Sequence, residues 1–87
     1  MLVHPRLLKS ARIALDISQD ELSGSAGLSR RSLVKLESCA QETTLKTIQS
    51  VQRALEGYGV VFLGEDGSFG SGFRLPPGYL KQDENGV

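Results

Sequence analysis

The sequence predicts a mainly α fold, a four-helix bundle followed by a short C-terminal β-strand or hairpin. Three observations carry that expectation. Apolar residues recur at three- and four-residue spacing in successive segments before residue 57, and most of these segments open on a residue able to cap a helix. After residue 57 the texture changes to a glycine-bounded β-type run and a glycine-rich loop. The chain is 87 residues long, room for one small domain and little else.

Each element has a local cause. Pro5 has no N–H to leave unpaired in a first turn, and Leu8, Ala11 and Leu15 recur at helical spacing with Leu7 and Ala14 alongside, predicting a first helix over about 5–15. Asp16-Ile17 is a short connection. Ser18 then caps a second helix over about 19–25, and Glu21 three residues on completes a capping box. Ser23, Gly24 and Ser25 make this helix intrinsically weak. Gly27 is the natural place for a left-handed turn, and Ser29 caps a third helix over about 30–38. Residues 39–43 read as a loop. Thr43 or Thr44 caps a fourth helix over about 45–56, striped by Leu45, Ile48, Val51 and Leu55 and stopped by Gly57 and Gly59. Val60–Leu63 is a short strand, Asp66-Gly67 a turn signal, Phe73–Leu75 the returning strand, and Pro76-Pro77-Gly78 its end. The organisation expected is a helical domain over 1–57, a β segment over 58–77 and a loose polar tail over 78–87.

Composition excludes several classes of function. Apolar types make up 39% of the chain, enough for a globular core. No apolar run approaches the roughly 18 residues of a membrane span, and the opening MLVHPRLLKS has no signal-peptide core, so no membrane partner is expected. One cysteine, Cys39, cannot make an internal disulfide, which fits a reducing cytoplasm. With that single thiol and one histidine, His4, neither a metal site nor a thiol-based triad is expected. The loop over 64–72 is glycine-rich, but no helix follows it, so it is not a phosphate cradle. No catalytic residue, cofactor or metal is therefore expected. Ten basic residues balance ten acidic ones, yet residues 1–39 carry six basic against four acidic residues and the remainder four against six. The N-terminal half is the one suited to a polyanion.

The informative stretch is residues 18–37, SQDELSGSAGLSRRSLVKLE: a capped short helix, a glycine turn backed by an apolar residue, and a second capped helix. In Ser18, Gln19, Glu21, Leu22, Ala26, Gly27, Leu28, Ser29, Leu33, Leu36 and Glu37 it resembles the helix-turn-helix of the Cro/CI repressor family, also called the XRE family. The resemblance extends over about residues 6–56. It implies a lambda-repressor-like bundle and a DNA-binding transcription regulator of the small phage or mobile-element type. The residues make physical sense of it: Gly27 permits a tight turn between steeply crossed helices, Ala26 is small enough for close packing, and Leu22, Leu28, Leu33 and Leu36 supply a shared core.

At about 100° per residue, with Arg30 at 0°, Val34 falls near 40°, Ser38 near 80°, Arg31 near 100° and Lys35 near 140°, while Leu33 and Leu36 fall near 300° and 240°. Arg30, Arg31 and Lys35 thus share an outward arc that can enter a major groove. Each arginine can offer its planar fork to guanine O6 and N7, Lys35 can do likewise or hold a phosphate, and Val34 either touches a thymine methyl or packs. Ser29 and Ser32 are candidates for hydroxyl bonds to the DNA backbone, Ser29 more readily as a cap. The resemblance adds Gln19 as a backbone contact, in a place where exposed N–H groups favour phosphate. It also implies that Arg12 pairs with Glu37 to fix the third helix against the first, a structural role.

The chain departs from the family in two places. Ser23-Gly24-Ser25 stands where relatives mostly carry better helix formers, and the loop over 39–43 has Glu42 and no basic residue, whereas many relatives place a phosphate-binding lysine or arginine nearby. Cys39 is expected to be a small half-buried residue, and His4 a solvated terminal one.

The β segment poses a packing problem. Four consecutive apolar residues in a strand face both sides, and a lone hairpin is marginal in water. Pairing of two chains eases both, so the expectation is a homodimer whose interface includes Val60, Val61, Phe62 and Leu63, with Phe73 or Phe69. The alternative is a hairpin folded on its own monomer. A dimer would read an inverted-repeat double-stranded DNA operator with half-sites about 34 Å apart or a multiple of that. It would act as a repressor or autoregulator; no small-molecule effector is expected. The competing reading keeps the fold and makes the chain an antitoxin or antiactivator whose main partner is a protein.

Overall fold

The computed structural model describes residues 2–40 and 42–80. Four helices, α1 (Pro5–Leu15), α2 (Gln19–Ala26), α3 (Arg30–Glu37) and α4 (Leu45–Gly57), precede two strands, β1 (Val61–Leu63) and β2 (Gly72–Arg74). Mainly helical architecture with a C-terminal antiparallel hairpin is what the sequence predicts, and the differences lie at element ends.

Every helix is capped at its start by a side chain. Ser18, Ser29 and Thr44 accept from the backbone N–H of Glu21, Ser32 and Thr47, settling the choice at the fourth helix. His4 does the same for α1: its Nδ1 accepts from the Arg6 N–H at 3.0 Å. His4 is exposed, as expected of it, and serves as a cap besides. Only half of the α2 capping box forms as expected. Ser18 Oγ accepts from the Glu21 N–H at 3.0 Å, whereas the Glu21 carboxylate accepts from the Tyr58 hydroxyl at 3.3 Å. That hydroxyl also shares a 2.9 Å hydrogen bond with Ser25. This ties the weak helix α2 to the end of α4.

The core runs through all elements. Leu8, Leu15, Leu22, Leu33, Leu36, Val51 and Leu55 are fully buried, contributing about 1.5–3 kcal/mol each. Val3, Val60 and Phe62 extend this core under the hairpin. β1 pairs with β2 in the register Val61–Arg74, Phe62–Phe73 and Leu63–Gly72. The Phe62 and Phe73 rings meet edge to face with centroids 6.2 Å apart. The hairpin therefore folds on its own monomer. Val60 and Phe62, expected at an interface between chains, are corrected to core residues of this chain, and half-buried Phe73 packs against them. The cause is the strand's period of two: Phe62 points in, and Val61 and Leu63 point out, 55% and 45% exposed.

Two further expectations change. The tail is not loose from residue 78, because Tyr79 packs against the core and its hydroxyl donates to the Leu15 carbonyl at the end of α1; the rest of the expected tail, 81–87, lies outside the described residues. Cys39 is exposed rather than half-buried, with φ of 60° just beyond α3. Gly59 has φ of 100°, and a Cβ there would meet Pro76 Cβ at 2.9 Å, so both backbone and space demand glycine where the chain leaves α4 for β1.

Candidate nucleic-acid interface

The interface is built on the α2–turn–α3 unit. Gly27, at φ 69°, closes α2 in a left-handed cap, with the Leu28 N–H bonded to the Ser23 carbonyl at 2.9 Å. Ser29 follows at once as the cap of α3. Its Oγ accepts from the Ser32 N–H at 3.1 Å and donates to the Ser32 hydroxyl at 3.0 Å. Ser29 is thus a cap, and half-buried Ser32 is its partner. Leu33 and Leu36 bury the inner face of α3, leaving Arg30, Arg31, Val34 and Lys35 exposed together on the other.

The orientation of that outer face is held by a buried charge network. Arg12 Nε and Nη2 donate to the two Glu37 carboxylate oxygens at 2.6 and 3.0 Å, and Nη1 donates to the Ile17 carbonyl at 2.9 Å. The side chains are 14% and 3% exposed, so two parallel charge-assisted bonds fix α3 against α1 in a setting with little water. Gln19, half-buried at the start of α2, donates its amide to Glu37 Oε1 at 3.1 Å. The start of α2, the end of α1 and the end of α3 therefore share one carboxylate. The Gln19 side chain is committed to this network, bonded to the buried Glu37 carboxylate.

Two features escaped the sequence reading. Arg30 Nε lies 3.7 Å from Asp20 Oδ1, an exposed ion pair across the two helices. No spacing rule signals it, since the two residues are brought together by the turn. Ser32 and Lys35 line a groove with Glu42, Thr43, Thr44 and Thr47, so the end of the outer face continues onto the start of α4. The capping threonine was readable; its place beside Lys35 was not.

A family model described as helix-turn-helix, of the Cro/CI (XRE) type, matches residues 8–61. The chain belongs to that family. The match spans all of α2 and α3, most of α1 and the whole of α4, and stops as β1 begins. No curated protein and no solved structure matches the chain. The Cro/CI-type family is one of DNA-binding regulators and not of enzymes, and this helix-turn-helix protein is a DNA-binding regulator of that type. No helix among its described residues is long and apolar enough to cross a membrane.

Proposed function

We propose that this helix-turn-helix protein is a cytoplasmic, sequence-specific transcription regulator that binds an inverted-repeat operator as a homodimer, acting as a repressor or autoregulator. One observation carries the reading. Arg30, Arg31, Val34 and Lys35 form a single exposed face on α3, backed by a buried ion pair that keeps α3 from turning. A major groove accepts one helix, and a rigid helix presenting two arginine forks and an apolar side chain offers the groups that base edges recognise. Gln19 and Ser32 flank this face, where contacts to the DNA backbone set register without carrying sequence information.

The homodimer is supported by the outer side of the hairpin. Val61 and Leu63 are turned out of the chain's own core, and Arg74, Leu75 and Pro77 lie beside them. Two copies joined there would double the phosphate contacts of a chain with no net charge, for which a single domain is a weak DNA ligand.

Duplexes selected by the protein from a randomised pool test this function in mobility shifts at two salt concentrations. Arg30→Ala and Arg31→Ala should each cost about 1–3 kcal/mol and relax preference at one position per half-site. Unchanged binding by the double variant would remove α3 as the reader.

A further inference from the structure

Asp20 is the second residue of α2 and Arg30 the first of α3. Their side chains are 73% and 62% exposed and lie 3.7 Å apart, Oδ1 to Nε. An acidic group here is out of keeping with DNA binding: it adjoins Gln19 at a helix end whose free N–H groups favour phosphate. So exposed a pair adds little to stability. Asp20 does complement the positive end of the α2 dipole, but any acidic residue in that first turn would.

The geometry gives the carboxylate a second use. Arg30 approaches Asp20 through Nε, within ion-pair range and beyond hydrogen-bond reach. Contact through that nitrogen leaves Nη1 and Nη2 free, and their paired N–H groups form the fork that fits guanine O6 and N7. A tethered arginine also has less side-chain freedom to lose on docking. Excluding water from the pair strengthens its attraction. Against a duplex lacking the guanine, the same carboxylate repels the phosphates that a free Arg30 would reach.

We infer that Asp20 is a specificity-determining positioning residue, holding Arg30 by Nε so that its terminal fork reads a guanine, and weakening binding to duplexes without it. The inference rests on the reading that α3 enters the major groove. It makes Asp20 raise discrimination at the expense of general affinity.

The experiment compares the full-length chain with Asp20→Asn, Arg30→Ala and the double variant. Each is titrated with the best duplex selected by the wild type and with a scrambled duplex of the same composition, across a range of salt. Asp20→Asn should bind the scrambled duplex more tightly and lose about fivefold of the selected-to-scrambled ratio, the upper end for an exposed pair. Its log–log salt slope on the scrambled duplex should steepen by about one, as Arg30 passes to a phosphate. In the Arg30→Ala background Asp20→Asn should leave the ratio unchanged. A change of ratio in that background overturns the inference, because the carboxylate would then act without Arg30. An unchanged ratio for Asp20→Asn, beside a clear loss for Arg30→Ala, overturns it while leaving the groove reading intact. Equal binding of both duplexes by the wild type overturns both. A dipole role alone would move the melting temperature of Asp20→Asn and leave the ratio untouched.

Discussion

Replacing Arg12 by alanine should cost this protein between a quarter and most of its stability. The Glu37 carboxylate is almost wholly buried and accepts three hydrogen bonds, from Arg12 Nε, Arg12 Nη2 and Gln19 Nε2, at 2.6, 3.0 and 3.1 Å. Arg12→Ala removes two of the three and the cation with them, and strips the Ile17 carbonyl of its Nη1 donor. Breaking a buried pair costs about 3–5 kcal/mol. The guanidinium keeps some access to water, which puts Arg12→Ala near the lower figure, about 3 kcal/mol. Set against a total of about 0.05–0.15 kcal/mol per residue, that is a quarter of the stability of an 87-residue chain at best and most of it at worst. Arg12→Met with Glu37→Leu should cost less than Arg12→Ala alone, because no charge is left buried without a partner. Urea unfolding followed by far-UV circular dichroism measures all three proteins. An Arg12→Ala protein that stays within about 0.5 kcal/mol of wild type, the scatter of an ordinary surface substitution, and still binds DNA would refute the role given to the pair.

Three other outcomes are expected. Gly59→Ala should lower stability by about 1–3 kcal/mol in the same unfolding assay, since the position combines φ of 100° with a 2.9 Å approach to Pro76; no loss would mean that the chain leaves α4 along another path. Val61→Asp with Leu63→Asp should yield a folded monomer by sedimentation, whereas Phe62→Asp should unfold the chain because Phe62 lies in the core; a dimer surviving the first pair would place the contact elsewhere. The Asp66 carboxyl accepts from the backbone N–H groups of Ser68 and Phe69, each at 2.7 Å, which hold its pKa below the ordinary aspartate value. The folded value is the depressed one, so the order this group lends the hairpin loop is complete above the ordinary value and lost as pH falls through the lowered one. Amide NMR shifts of Ser68 and Phe69 should titrate with a midpoint below that of a free aspartate, and a midpoint at or above it would contradict the turn.

Helix placement was legible because its causes are local. Caps at Ser18, Ser29 and Thr44 and the spacing of Leu22, Leu33, Leu36, Val51 and Leu55 set the helices without reference to the rest of the chain. The outward arc of α3 was legible for the same reason, since leucines on one side of a short helix leave the other to solvent. What escaped were contacts between residues far apart in sequence. Nothing near Tyr79 announces that its hydroxyl ends at Leu15, and nothing near Asp20 announces Arg30. The apolar run at 60–63 could lie against its own chain or another, and periodicity alone does not choose. The choice turns on whether the core of α1 and α4 leaves room for Val60 and Phe62, which it does.

The central claim is that the outer face of α3 reads base edges from the major groove. Methylating guanine N7 in the selected duplex blocks one of the two acceptors that an arginine fork needs and leaves the DNA backbone alone. Methylation interference should show guanines in each half-site whose modification prevents binding of the wild type, with one of them ceasing to matter in Arg30→Ala and another in Arg31→Ala. Binding indifferent to N7 methylation throughout the site, or an interference pattern identical in wild type and both variants, would contradict the account.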